Sequence, residues 1–265
     1  MLEQKPYLIE LLTPRQSDED FEGKLEIFGQ RYRKIMDHGA TVSIPDNPMG
    51  HVHFTAMEVV EFLGLPFDRE RTLLHLNTFH RKVDLDTFLE AAATASLKHL
   101  LVVRGDGGPR LAKLEPSDIG SAAKTVTSVE LLEYIRRQYP GAFTCGVAFN
   151  HYEPPEHELE KLRRKIEAGA RFLITQPVIG SDSTVSSLRG FGLPVWVGAW
   201  MSRKVKLLLE CVGAPSTGKI DYDPAANLEH LHGEFRDFGI YLTQLGFKKD
   251  WCPLLTRSPC MERAA

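Results

Sequence analysis

The sequence has few cysteines, no long apolar run and no excess of basic side chains. Four cysteines occur among 265 residues, and no two of them form a C-x-x-C pair, which argues against a disulfide scaffold or a thiolate zinc site. We expect Cys145, Cys211, Cys252 and Cys260 to be buried thiols in a reducing cytoplasm. No stretch approaches the roughly 18 apolar residues of a membrane helix, and we expect no secretory leader.

Charge and short motifs exclude further classes of protein. With 32 basic and 35 acidic side chains, the formal net charge is -3, so a nucleic-acid partner is not expected. No G-x-G-x-x-G, Walker or G-x-S-x-G motif is present, nor any zinc-ligand spacing. Dinucleotide binding on a Rossmann fold, phosphoryl transfer, acyl transfer and metal-assisted hydrolysis therefore lack their usual residues.

What the sequence does contain is an alternation of short β-type runs with longer helical segments. The predicted strands cover residues 7–12, 41–44, 72–77, 99–104, 143–149, 171–176, 194–200 and, less clearly, 251–255. The predicted helices cover residues 18–36, 55–63, 85–95, 128–138, 155–168, 184–190, 202–212 and 225–245.

Eight such units in about 250 residues predict a (β/α)₈ barrel, here a single domain over residues 1–265. An open doubly wound sheet is the alternative. Only ten residues follow the last predicted strand, so we expect an incomplete or atypical final helix, and an uncovered barrel side is compatible with a homo-oligomer. The loop at 106–127 is long and rich in glycine and proline, which is typical of a lid or binding loop.

Barrel enzymes carry their functional groups at the carboxyl ends of the strands. Glu10 is the first candidate, because it interrupts an otherwise apolar strand and shares a face with Leu8 and Leu12. A carboxyl group directed into the barrel would lose hydration, and its pKa would rise toward that of a general acid. A carboxylate at the solvated edge, or one paired with a lysine, is the alternative.

The same filter selects six further residues, two of which also have a purely structural explanation. His75 has apolar neighbours and could be a hydrogen-bonded core residue, and Gln176 could bond to a nearby loop. Lys161, Arg164 and Lys165 share a helical face that suits a pyrophosphate or, equally, ion pairs with Glu158 and Glu160. The selected residues after Glu10 are His75, Arg104, Asp106, His151, Gln176 and Arg257.

Taken in order, these segments resemble the methylenetetrahydrofolate reductase family over nearly the whole chain. The R-G-D after the fourth strand and the K-I-E-A-G-A block are the most specific parts. The matching motifs are I-E-L-L-T-P-R at 9–15, H-L-N-T at 75–78, L-V-V-R-G-D at 101–106, G-V-A-F at 146–149, L-R-R-K-I-E-A-G-A at 162–170, F-L-I-T-Q at 172–176 and L-T-R at 255–257.

The resemblance implies a barrel that binds FAD and uses NADH or NADPH to reduce 5,10-methylenetetrahydrofolate to 5-methyltetrahydrofolate. By the same resemblance, Glu10 matches the general acid, and Asp106 matches a carboxylate beside flavin and pterin. The implied folate contacts are Asp106, Gln176, Met201 and Arg257. The implied flavin contacts are Ser43, His75, Arg104, Gly105, Asp106, Ala148, Phe149, His151, Arg164 and Lys165.

Departures from the family pattern fall mainly on the flavin side. The segment after the second strand reads S-I-P-D-N-P-M-G, phenylalanine replaces an expected tyrosine at Phe149, and the loop containing His151 is short. A flavin-independent version of the reaction therefore stays open. So does a folate-binding or methyl-transfer partner subunit without reductase activity.

Overall fold

In the computed structural model, which describes residues 7–213 and 221–247, eight parallel strands close into a barrel in sequential order, with β1 paired to β8. This confirms the predicted (β/α)₈ class. The strands are β1 (Tyr7–Glu10), β2 (Thr41–Ile44), β3 (Thr72–Leu76), β4 (His99–Val102), β5 (Thr144–Phe149), β6 (Phe172–Pro177), β7 (Val195–Trp200) and β8 (Gly239–Thr243).

Helices surround the barrel, and two of them lie between β7 and β8. None of the helices in the described ranges is long and apolar enough to cross a membrane. The helices are α1 (Phe21–Asp37), α2 (Ala56–Phe62), α3 (Lys82–Thr94), α4 (Ser128–Gln138), α5 (Pro155–Ala168), α6 (Ser183–Ser187), α7 (Val205–Val212) and α8 (Pro224–Glu234).

Strand alternation divides the apolar residues into two layers. Leu8 packs inside the barrel, whereas its neighbours Tyr7 and Ile9 belong to the layer between the sheet and the helices. The interior is filled by large side chains, and Phe172 meets Trp196 edge to face at 5.7 Å. Glu10 shares the inward face of β1 with Leu8, as the alternation predicts. The first strand therefore delivers a carboxyl group to the mouth of a packed barrel.

The eighth strand is where the sequence prediction was wrong. The segment 225–245, predicted as one helix, contains α8, a turn and then β8. The run G-I-Y-L-T is rich in β-branched and aromatic residues, and it closes the barrel against β1. Since β8 ends at Thr243, the expected strand at 251–255 is not the eighth one. That segment, Arg257 and any final helix lie outside the described residues.

Local capping residues explain most other boundaries. Thr127 caps α4, and its hydroxyl and backbone N–H donate to the carboxylate of Glu130. Gly169 ends α5 with a φ of 122°, which few other residues adopt. The segment between β4 and α4 contains only one short 3₁₀ turn, at Pro116–Ile119. That long segment is thus free to form one side of the barrel mouth.

The predicted burial of the cysteines holds for one described thiol and fails for the other. Cys145 is buried, whereas Cys211 on α7 is exposed. The expectation was wrong because Cys211 lines the open cavity at the barrel mouth, where solvent reaches it. Cys252 and Cys260 lie outside the described residues.

Candidate active site

A cavity of about 670 Å³ occupies the carboxyl end of the barrel, within the usual size range of small-molecule sites. It brings together residues from all eight strands or the loops that follow them, as the position of active sites in barrels predicts. The sequence-predicted residues that line it are Glu10, His75, Arg104, Gly105, Asp106, Ala148, Lys161, Arg164, Lys165 and Gln176.

Four predicted site residues do not line this cavity. Ser43 and Phe149 are fully buried. Met201, partly exposed, packs against the core between sheet and helices. His151 stacks on Tyr152 with a ring separation of 4.2 Å, and burial lowers its pKa. The geometry of the cavity therefore does not support direct contact between a ligand and these four side chains.

Glu10 lies at the carboxyl end of β1 and lines the cavity. Its carboxyl group is buried, and this burial raises its pKa, while hydrogen bonds from the Tyr241 side chain and the Gln244 backbone oppose the rise. The Tyr241 hydroxyl donates to Oε2 of Glu10 over 2.8 Å. A carboxyl group with a raised pKa stays protonated to higher pH, which is what a general acid near neutrality requires.

His75 and Ser43 lie beside this carboxyl group. Ser43 is the register partner of Glu10 across β1 and β2, and its hydroxyl is 2.8 Å from Nε2 of His75. Burial lowers the pKa of His75 to about 4, so its ring is neutral at physiological pH. We call Glu10, Ser43, His75 and Tyr241 the acid cluster.

Asp106 follows β4 at a more exposed position. Its Oδ2 accepts a hydrogen bond from the backbone N–H of Met49 over 3.0 Å, so the loop after β2 reaches across the end of β3 to the loop after β4. The two loops touch through backbone, because a Cβ on Gly50 or Gly108 would collide with the other loop. This contact fixes the direction of one Asp106 oxygen and leaves the other to the cavity.

The opposite side of the cavity is cationic. We call Arg104, Lys161, Arg164 and Lys165 the cationic rim; three of them project from α5. Lys161 and Lys165 both approach the buried carboxylate of Glu158, at 3.3 and 3.4 Å.

The two arginines of the rim differ from its lysines. Arg104 and Arg164 are exposed, and neither has a carboxylate partner among the ion pairs of the described residues. Their guanidinium groups are therefore available to an anionic ligand. Lys165 also donates to the carbonyl oxygen of Ala148 over 2.8 Å, so its position is fixed by the protein.

Sequence reasoning missed several residues of the cavity. Tyr241 and Gln244 were hidden inside the predicted helix, although the G-I-Y-L-T run is a strand signal. Arg15 lies beyond β1, and Trp200 ends β7. Because Gln244 follows the true β8, an amide lies where a basic residue was expected from Arg257.

Comparisons with known proteins agree with this geometry. The profile of the methylenetetrahydrofolate reductase family matches residues 8–186. "Methylenetetrahydrofolate reductase 2" of Saccharomyces cerevisiae is 31% identical over 136 residues, which are 47% of this chain and 22% of that protein. The protein of the same name from Schizosaccharomyces pombe is 34% identical over 115 residues, or 39% of this chain and 17% of that protein. The matches thus span about a fifth of those relatives.

Solved structures share the barrel at low sequence identity. A Clostridium thermocellum protein that binds two copies of 5-methyl-5,6,7,8-tetrahydrofolic acid superposes with a TM-score of 0.59 at 11% identity, covering 98% of this chain and 96% of its own. A dihydropteroate synthetase gives 0.55 at 16% identity, with coverage of 99% and 96%. Such identities bear on fold alone. The family match over residues 8–186 carries the assignment, and this chain belongs to the methylenetetrahydrofolate reductase family.

Proposed function

We propose that this protein reduces 5,10-methylenetetrahydrofolate to 5-methyltetrahydrofolate, with NADH or NADPH as the source of hydride and FAD as the intermediate carrier. The observation that carries the proposal is the acid cluster: a buried carboxyl group with a raised pKa, in one cavity with Asp106 and Gln176. The reaction needs these groups, because the leaving nitrogen must be protonated and the cation that forms must be stabilised.

Glu10 would supply the proton. The methylene carbon of the substrate bridges two nitrogens, and one C–N bond must break before the carbon can accept hydride. Protonation of the departing N10 nitrogen by Glu10 breaks that bond and leaves an iminium cation at N5. Addition of hydride to the iminium carbon forms the methyl group, and Glu10 is left ionised until it recovers a proton from solvent.

Asp106 and Gln176 would act on the substrate ring. A carboxylate near the iminium stabilises its positive charge in a cavity partly shielded from water. The Met49 N–H already binds Oδ2 of Asp106, so the other oxygen faces the ligand. Gln176 offers both a donor and an acceptor, which suits the pterin edge.

The residues present suit a flavin dinucleotide. His75, Gly105 and Ala148 line the cavity between the acid cluster and the cationic rim, and Arg104 and Arg164 are cations without a carboxylate partner in the described ranges. Those two arginines would hold the diphosphate, and Lys165 would add a positive charge beside it. When bound, FAD supplies a site that accepts hydride from the nicotinamide and passes it to the folate.

A direct hydride transfer from nicotinamide to folate is the second candidate function. It is favoured by two residues that match flavin contacts of the family but are buried in this protein. The Ser43 hydroxyl bonds to His75, and Phe149 is fully buried, so neither offers a side chain to a flavin. The cationic rim would then hold the diphosphate of the nicotinamide cofactor. The acid cluster has the same task in both versions.

An anaerobic assay separates these possibilities. Purified protein is first examined for flavin absorbance, and NADH oxidation is then followed with and without methylenetetrahydrofolate. Oxidation that depends on the folate supports the reductase, and the absorbance decides between the FAD-dependent and the direct version. Protein that binds the folate but never oxidises NADH or NADPH, with or without added FAD, would contradict the proposal.

A further inference from the structure

The acid cluster is assembled from four different strands. Glu10 is on β1, Ser43 on β2, His75 on β3 and Tyr241 on β8. Two hydrogen bonds of 2.8 Å join Tyr241 to Glu10 and Ser43 to His75. The His75 and Tyr241 rings are 6.3 Å apart, which places the two bonded pairs side by side at the barrel mouth.

The two pairs are separate hydrogen bonds. Ser43 bonds to His75, whose pKa burial lowers to about 4, and Tyr241 donates to Glu10. Burial and the neighbouring Glu10 raise the pKa of Tyr241, so its hydroxyl keeps its hydrogen and can serve as a donor to the Glu10 carboxyl group.

We propose that Tyr241 is the positioning residue for Glu10. The Tyr241 hydroxyl holds Oε2, so the proton that Glu10 gives to the substrate is carried on Oε1. The ring of His75, which bonds to Ser43, lies beside the Tyr241 ring. This inference rests on the proposed function, in which Glu10 is the acid, and it adds the group that directs its proton.

The arrangement also explains why the proton leaves readily. A buried carboxylate without donors would be costly, whereas here the Tyr241 O–H and the Gln244 backbone N–H bind the ionised form. Gln244 has a φ of 55°, an uncommon conformation for a residue other than glycine, and such strain often accompanies functional sites.

Other charged groups reach this cluster from neighbouring elements. Asp46, after β2, raises the pKa of His75 against the larger effect of burial. Asp106, after β4, and Glu10 itself raise the pKa of Cys211 on α7. A titration experiment must therefore observe Glu10 directly, because several groups ionise in one cavity.

The first experiment measures the ionisation of Glu10 in the protein alone. The ¹³C resonance of the Glu10 side-chain carboxyl is assigned with Glu10→Gln and followed against pH in wild type, Tyr241→Phe and Tyr152→Phe. Tyr152→Phe is the matched control, because Tyr152 does not line the cavity and its hydroxyl donates to the backbone carbonyl of Pro177 over 2.8 Å instead of to Glu10.

We expect Tyr241→Phe to raise the Glu10 pKa by about one unit, a tenfold change in ionisation, because a donor to the carboxylate is lost. Tyr152→Phe should leave it unchanged. Equal values in wild type and Tyr241→Phe would overturn the inference, even if the protein proves not to be a reductase. Phenylalanine keeps the ring that packs in the barrel, so the variant loses the hydroxyl alone.

The second experiment uses the reaction. In Tyr241→Phe we expect kcat to fall about tenfold with little change in KM, and the pH at which kcat/KM declines should move upward with the Glu10 pKa. An unshifted pH profile would contradict the proposed role of Tyr241.

Discussion

The acid cluster and the cationic rim lie on opposite sides of one cavity and are built in contrasting ways. The acid cluster is buried on the inward faces of strands, where its members bond to one another. The cationic rim lies largely on α5, and two of its arginines are exposed to solvent without ion-pair partners in the described ranges. Burial is useful where a pKa must change, whereas an accessible charge is useful where an anion must be captured. Each region therefore has the solvation that its chemistry needs.

The largest effect should come from Glu10→Gln, which removes the proton but preserves size and burial. We expect reduction of methylenetetrahydrofolate to fall by about 10²–10⁴-fold, the usual contribution of a general acid. Binding of the dinucleotide at the cationic rim, FAD in the leading proposal and the nicotinamide cofactor in the direct version, should be unchanged. Steady-state rates and titrations of the same preparation with FAD and with NADH would measure both.

Glu160→Gln is the control for this substitution. Glu160 is exposed on α5 and pairs with Arg163, so its loss should leave the rate unchanged. If Glu10→Gln weakened dinucleotide binding at the cationic rim as much as it lowered the folate rate, the separation of the two regions would be wrong.

Arg164→Met tests the role of the cationic rim. Loss of a charge-assisted hydrogen bond to a diphosphate should weaken cofactor binding by about 10–100-fold, while kcat at saturating cofactor should change little. Arg163→Met is a matched control, because that neighbour is exposed on α5 and does not line the cavity. A loss of kcat without a loss of affinity would instead place Arg164 close to the chemistry.

Glu158→Gln should show that the cationic rim depends on a buried anion. The Glu158 carboxylate is 3% exposed, accepts a hydrogen bond from the Asn150 backbone N–H, and neutralises Lys161 and Lys165. We expect a loss of about 2 kcal/mol in the free energy of unfolding, measured by chemical denaturation. Glu160→Gln again serves as the control, and equal stability of the two variants would show that the lysines need no counterion.

The smallest expected effect is a change in the free energy of unfolding on substitution of Glu10. Because folding raises the Glu10 pKa, the contribution of Glu10 to stability is fully present below its unfolded pKa and is lost as pH rises through its folded pKa. Glu10→Gln should therefore be more stable than wild type at pH 8, by about 1.4 kcal/mol for each unit of pKa shift. The gain should vanish toward pH 4. A gain independent of pH would argue against burial as its cause.

Much of the fold and part of the site follow from sequence pattern. The first seven strands were predicted because each is a compact apolar run followed by a helical segment. Glu10 was predicted to point inward because side chains alternate along a strand. The cationic face of α5 was predicted because three basic residues recur at helical spacing, and only the structure shows that Glu158 pairs with two of them.

The remainder depends on long-range pairing, which sequence pattern does not reveal. The sequence predicts helix for the β8 segment because its apolar residues continue those of α8. Its pairing with β1, which closes the barrel, makes it a strand. Ser43 and His75 were predicted separately, yet their hydrogen bond exists because β2 and β3 are neighbours. Tyr241, which lies 231 positions from Glu10, could be related to it only after the barrel was closed.

The contact between the loops after β2 and β4 has a consequence for engineering. Gly50 and Gly108 leave no room for a side chain between them, and the Met49 backbone holds Asp106. Insertions or exchanges in either loop should therefore alter the reaction centre indirectly, by turning a carboxylate that the altered residues do not replace. A transplant of one loop into a related barrel should work only when the other is moved with it.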